Sequence, residues 1–265
     1  MFKKISSGLE AAARLLLWVV IYARKTVHRL RAHGPRRTAV LVLGSLRDVS
    51  AWVAEEWFDY VSGVDTTGRE LLYRADGPPD SNPDYLDYQP TPVRTVRALL
   101  NQLNPHVGSS TFVDFGSGKG RVLLIASQFN FRRVIGVEFD EKLHRTASEN
   151  IRTFRGRRRC ADVTSVLGRA EEFVLPPGDL VLYFFHPFEA AVLERTLQNV
   201  SRSYRENPRR ILLVFFRHNH AAVVERFAEF RRLAVEPLPF DLVRLSSDYR
   251  DVGGKPYGTA VFLAG

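Results

Sequence analysis

Five residues in one stretch of this chain have the types and spacing to hold a polar, nucleotide-like ligand: Asp114, Gly116, Gly118, Gly120 and Glu138. They lie in TFVDFGSGKGRVLLIASQFNFRRVIGVEFD, residues 111–140. Glycines at a spacing of two let the backbone bend sharply out of a strand and let a ligand come close where a Cβ would block it. The free N–H groups of a following helix then face a polar group. Glu138, at the end of the next apolar run, is placed to meet a ribose diol lying across the turn.

The elements that must position these residues are legible around them. Thr111–Phe115 is a short apolar run, Val122–Phe129 is helical in pattern, and Val134–Phe139 is apolar again with Glu138 and Asp140 at its end. Strand, glycine turn, helix, strand is half of an α/β nucleotide-binding unit. Two familiar phosphate-binding patterns do not fit. The dinucleotide fingerprint G-x-G-x-x-G needs its third glycine at position 121, where the chain has Arg121. The P-loop needs Ser or Thr after its lysine, and Lys119 is followed by Gly120.

Asp114-x-Gly116-x-Gly118-x-Gly120, with Glu138 at strand spacing, resembles motif I of the class I S-adenosylmethionine (SAM) methyltransferases. The resemblance implies SAM as cofactor. Asp114 would then lie near the methionine amine, and the turn carrying Gly116, Ser117, Gly118 and Gly120 would pass beneath the cofactor. Glu138, with Phe139 beside it, would meet the ribose hydroxyls. A nicotinamide or other Rossmann-type cofactor is the alternative.

Residues 61–92 are loop-rich, with turn signals at Asp65-Thr66-Thr67-Gly68 and over 77–83. So long an irregular stretch is often functional. It ends in Tyr88-Gln89-Pro90-Thr91, directly before a helix expected over Pro92–Leu103, for which Thr91 and Pro92 suit the N-cap and first helical positions. This string resembles those of several SAM methyltransferases, including protein lysine methyltransferases related to the mitochondrial ATP synthase c-subunit enzyme. The combination of Gly63-Val64-Asp65-Thr66, Tyr88-Gln89-Pro90, residues 114–121 (DFGSGKGR) and Gly136-Val137-Glu138-Phe139 is similar to a bacterial group of mostly uncharacterised methyltransferases, over roughly residues 57–220. The resemblance implies that Tyr88, Gln89 and Thr91 line the cofactor or the transfer site, with Tyr88 as a catalytic candidate that shapes the transfer site together with His186. The alternative is that they only fix a loop and cap a helix.

Downstream, Asp162–Leu167 is expected as the third strand, followed by Gly168-Arg169-Ala170-Glu171. The similar methyltransferases tend to carry Asp where Arg169 stands, which leaves Ala170 and Glu171 as the nearest candidates for the adenine contact. Asp179–Phe185 reads as a strand covered on both faces. It leads into His186-Pro187-Phe188, at a position that resembles motif IV, where the bacterial group tends to have Asn. His186 is therefore a candidate to orient the acceptor or accept a proton near neutral pH, at the end of a strand where open α/β sheets bind ligands. A structural strand-end histidine is the alternative. His218 and His220 have no third ligand type clustered with them, so no metal is expected.

The expected architecture is an α/β, Rossmann-like, seven-stranded, mostly parallel sheet with a C-terminal antiparallel hairpin, 240–246 with 257–263, and an N-terminal helical extension. Further helices are expected over 141–154, 190–204 and 221–233, and a strand over 211–216. Three segments divide the chain: an extension over 1–37, a helical and loop-rich cap over 38–92, and a SAM-binding domain over 93–265. In the cap, an amphipathic helix over 49–60 carries Trp52, Trp57 and Phe58, expected as core anchors. The apolar centre of the extension, Leu15–Tyr22, is shorter than the roughly 20 residues of a spanning helix. That helix is expected either to pack on the domain or to lie in a membrane interface with its basic residues toward anionic lipid.

Composition bounds the rest. A single cysteine, Cys160, among 265 residues excludes a disulfide scaffold and makes a reducing, cytoplasmic setting the expectation, with peripheral membrane contact through the first helix. The net charge of +9 favours anionic partners. The basic run 152–159 (RTFRGRRR) reads as a solvated face or as a phosphate contact. The expected activity is methyl transfer from SAM to a protein side-chain or nucleic-acid nitrogen. The alternative is a SAM-fold binding module without catalysis, acting as a membrane- or RNA-associated partner.

Overall fold

Five apolar runs of five or six residues, each flanked by a turn or a helix, build a sheet covered on both faces. The computed structural model describes residues 53–68, 88–103, 109–185, 190–216, 221–233 and 259–264. Helix α1 covers 53–62 and α2 covers Val93–Leu103. Then come β1 (Thr111–Phe115), α3 (Arg121–Ala126), β2 (Arg133–Glu138), α4 (Glu141–Thr153), β3 (Val163–Leu167), a 3-10 turn over Ala170–Glu172 and β4 (Leu180–Phe185). Helix α5 (Ala190–Glu206), β5 (Ile211–Phe216), α6 (Ala221–Val224), β6 (Arg231–Leu233) and β7 (Thr259–Ala264) complete the order. Residues Phe58–Gly265 make one compact unit.

The strand order is β3-β2-β1-β4-β5-β7-β6. Pairs from β3 to β5 are parallel, and β7 runs antiparallel to both β5 and β6. The chain winds outward from β1 through β2 to β3, then returns to the other side of β1 with β4. The crevice at the carboxyl ends of β1 and β4 is therefore the topological switch point, where open α/β sheets bind ligands.

Alternation along each strand divides the core in two. Phe112, Val134, Val181, Tyr183 and Val214 share one apolar cluster with Leu99 and Leu100 of α2 and Leu123 and Ile125 of α3. Val113, Phe115, Leu182, Phe184 and Phe215 share the other with Val192, Leu193 and Leu197 of α5. Phe115, Phe184 and Phe215 are in register on adjacent strands and stack, with ring centroids 5.1 and 4.6 Å apart. Such aromatic pairs add about 0.5–1.5 kcal/mol each beyond the area they bury.

The C-terminal third departs from expectation. The helix expected over 221–233 stops at Val224, and the chain leaves it through Phe227 N–H to Val224 O and Phe230 N–H to Phe227 O. Phe230 is buried, and Arg231–Leu233 then pairs with β7 as the outermost strand. Pairing at the open edge of β7 overrides a local helical pattern that has no caps to fix its end. The expected arm 257–263 is present as β7, and the other arm, 240–246, lies outside the described residues. In α1, Phe58 is buried against Phe154 but Trp57 is 62% exposed. The roughly 100° step between them turns Phe58 onto the core and Trp57 away from it. Trp52 and the whole 1–37 extension lie outside the described residues. Among the described residues, no helix is long and apolar enough to cross a membrane.

Candidate functional site

The site begins where β1 ends. Gly116, Gly118 and Gly120 have φ of 74°, 54° and 83°, so the turn uses left-handed backbone three times in five residues. Gly116 N–H and Ser117 N–H both donate to Val137 O of the neighbouring strand, at 2.9 and 3.2 Å, and Gly120 N–H closes the turn on Ser117 O at 2.9 Å. Gly118 has a second reason to be glycine. A Cβ there would lie 2.2 Å from Cε2 of Tyr88, whose ring covers the turn.

Glu138 ends β2 and faces this turn. Its Oε2 accepts from Gly118 N–H at 2.7 Å, and its Oε1 accepts from Asp140 N–H at 2.9 Å. Burial pushes its carboxyl up to about 7, against the opposing pull of these N–H donors. Asp114 sits one strand over and is 2% exposed. Burial, and then the charge of Glu138, hold Asp114 well above the usual carboxylate range. Asp114 pairs laterally with Gly136 on β2 and Tyr183 on β4, so these three form a row beneath the turn. Among the described residues its carboxylate accepts no hydrogen bond, so it is a buried acceptor in want of a donor.

Two segments before β1 cover the turn. Tyr88 donates its hydroxyl to Thr66 O at 2.8 Å, and the Lys119 ammonium lies 5.7 Å from the centre of its ring. Burial raises the Tyr88 phenol, so its hydroxyl stays protonated on Thr66 O. Thr91 is buried, with its hydroxyl 3.5 Å from that of Tyr183. Gln89, between them, is half-buried. Asn150 of α4 ties the 63–67 segment to the turn: Oδ1 accepts from Asp65 N–H at 2.8 Å, and Nδ2 donates to Asp65 O at 2.7 Å and Lys119 O at 2.9 Å.

The structure thus gathers Asp114, Gly116, Gly118, Gly120, Glu138 and Tyr88 at one place, with Thr91 below. Ser117 differs. Its hydroxyl is buried over Gly136, 2.5 Å from where a Cβ of that glycine would stand, so its side chain faces the sheet under the turn. Phe139 is half-buried beside the α5 core. Ala170 is buried in that same core, and Glu171 lies 3.5 Å from Arg195 of α5. His186 lies outside the described residues, as do His218 and His220. Among the described residues no cluster of His, Cys, Asp or Glu could hold a metal.

Sequence reasoning missed Asp59, Asn150 and Tyr183, and gave Arg121 no role. Asn150 had a readable signal. It follows Leu143 and Ala147 on the buried stripe of α4, where an amide needs partners. Asp59 had none, because its partners are seven or more residues away in an irregular segment.

Neither a protein-family model nor a curated protein sequence matches the chain. Several solved structures are similar in fold. Magnesium protoporphyrin IX methyltransferase from Synechocystis PCC 6803, with bound SAM, is 11% identical over 65% of this chain and 79% of its own, with a TM-score of 0.47. TrmN from Thermus thermophilus is 16% identical over 64% and 47%, with a TM-score of 0.43. The ribosomal protein L11 methylase from Lactobacillus delbrueckii subsp. bulgaricus is 13% identical over 63% and 76%, with a TM-score of 0.42. The chain has a Rossmann-like α/β fold, a seven-stranded, mostly parallel sheet. It has the expected seven strands with the C-terminal ones antiparallel, but β6 lies at Arg231–Leu233, within the segment expected as a helix.

Proposed function

We propose that the chain is a SAM-dependent methyltransferase acting on a protein side-chain or nucleic-acid nitrogen. The observation that carries this reading is the pair of buried carboxylates, Asp114 and Glu138, flanking the glycine turn at the switch point. Glu138 alone would suit the ribose of a dinucleotide as well, but a dinucleotide would also bring a pyrophosphate to the turn beside the second buried acid, Asp114, which opposes it. A ligand that carries an ammonium and a sulfonium is matched to both acids.

The residues present fit that ligand. Asp114, buried and without a donor among the described residues, suits the methionine ammonium. Glu138 Oε2 accepts from Gly118 N–H and Oε1 from Asp140 N–H, which holds the carboxylate at the turn, where it suits a ribose diol. We assign the adenine contact to the backbone around Ala170 and Glu171, in the 3-10 turn that follows β3. The sulfonium supplies the activated methyl group when SAM is bound, and the protein supplies position and a dry site. The Tyr88 ring walls the turn, and its hydroxyl stays on Thr66 O. His186 follows β4 directly in sequence and is the residue we assign to orienting the acceptor. We place the protein in the cytoplasm, with residues 1–37 either on the domain or at a membrane interface.

Calorimetric titration with SAM, wild type beside Glu138→Ala, tests the cofactor. Micromolar binding that the variant weakens supports the reading, and a folded wild type that binds no SAM overturns it. Transfer of labelled methyl in a cell extract then separates the acceptors. Label in a discrete protein band supports a protein acceptor, and label lost after nuclease treatment supports a nucleic acid. No transfer from bound SAM favours a binding module.

A further inference from the structure

The glycine turn is held from outside its own strand–turn–helix unit. Arg121, the first residue of α3, is 2% exposed. A cation at the first position of a helix opposes the helix dipole, and a buried guanidinium is costly unless it is matched. Here it is matched by a segment far away in sequence. Its Nε donates to Thr66 Oγ1 at 2.7 Å, one terminal nitrogen lies 3.5 Å from Thr91 O, and the other lies 3.7 Å from Asp59 Oδ1.

Asp59 organises that segment. It closes α1, where its carbonyl accepts from Gly63 and Val64, with Gly63 at φ 70°. Its carboxylate accepts from Thr66 N–H at 2.5 Å, Thr66 Oγ1 at 2.5 Å and Thr67 N–H at 2.8 Å. The single hydroxyl proton of Thr66 is therefore spent on Asp59, and its oxygen is left to accept from Arg121. The polarity of the relay is fixed: Arg121 to Thr66 to Asp59.

We propose that Asp59, Thr66 and Arg121 are positioning residues that preset the glycine turn for its cofactor. The inference rests on the SAM reading above. Four anchors from outside the unit hold the turn before any ligand arrives: Arg121 on Thr66, Gly118 under the Tyr88 ring, Lys119 O on Asn150, and the Lys119 ammonium on Thr67 O and Asp65. Thr66 joins two of them, because its carbonyl also accepts the Tyr88 hydroxyl. A turn already in its binding conformation loses less freedom on binding, which raises affinity without adding a contact to the ligand.

Thr66→Val keeps the side-chain shape and removes the relay, and Thr66→Ser restores it. The test measures amide exchange over 116–121 in the ligand-free protein, the SAM dissociation constant and Tm. We expect Thr66→Val to exchange faster at the turn than in β4 and β5, to bind SAM about tenfold more weakly, and Thr66→Ser to recover both. Asp59→Asn shifts both readouts in the same direction as Thr66→Val. A Thr66→Val protein with lowered Tm but wild-type turn exchange and SAM affinity overturns the inference alone, leaving a purely structural contact. A wild type that binds no SAM overturns the cofactor reading and this inference with it.

Discussion

Glu138 makes SAM binding depend on pH in a calculable way. Its carboxyl is pushed from an ordinary 4.5 to about 7, chiefly by burial. A ribose diol donates to a carboxylate, so SAM selects the ionised form. The apparent dissociation constant rises by the factor 1 + 10^(pKa − pH) below that value, which makes binding about fifteenfold tighter at pH 7.0 than at pH 5.5. Over that range an α-amino group stays largely protonated, so the ligand's own ammonium contributes little to the slope. Stability follows the opposite sign. A carboxyl raised in the folded state stabilises fully below its unfolded value, and that contribution is lost as pH rises through about 7. The loss is on the order of 3 kcal/mol for the ligand-free protein. Glu138→Gln, which keeps one acceptor but turns an N–H donor toward another, is expected to stabilise the ligand-free protein by about 2 kcal/mol at pH 8. It should also flatten the dependence of SAM affinity on pH, leaving the part that belongs to Asp114. Titration calorimetry at the two pH values, in two buffers of different ionisation enthalpy, reads affinity and proton release together. Binding with the same affinity at both pH values, and no released proton, would refute the reasoning.

Asp114→Asn is expected to abolish most SAM binding by calorimetry while raising the ligand-free melting temperature at pH 8, because a buried carboxyl held well above its usual range is removed. Gly118→Ala places a Cβ 2.2 Å from the Tyr88 ring at a φ of 54°; thermal melts should show a loss of about 2–4 kcal/mol. Asn150→Ala strips partners from both Asp65 backbone groups and from Lys119 O. It should cost about 2–4 kcal/mol and open the 63–67 segment to limited proteolysis, with the β4–β5 core unaffected.

The part of the fold that carries the site was legible because its signals are local. Strands β1, β2, β4 and β5 are apolar runs bounded by turns, and the glycine triplet with its two acids specifies both a backbone path and the charges beside it. Of the C-terminal strands, β7 was legible in place and β6 was not. Arg231–Leu233 joins the sheet only because β7 offers an open edge, and nothing within 221–233 announces that edge. The same distinction separates the site residues that were found from those that were missed. Asp114, Gly118 and Glu138 act on groups within their own unit, so spacing reveals them. Arg121 and Thr66 are 55 residues apart and Asp65 and Asn150 are 85 apart, so their pairing is fixed only when the sheet closes. The strings over 63–66, 88–90, 114–121 and 136–139 that marked the resemblance are scattered in sequence. In the structure, Thr66 meets Tyr88 and Arg121, Tyr88 lies over Gly118, and Gly136 lies under Ser117. The scattered motif is one contiguous clamp on one turn. A substitution in any of its four pieces should therefore be felt at the same backbone, and the coupling energy between Thr66 and Tyr88, which share a residue of that clamp, should be larger than that between either and a residue on the α5 face.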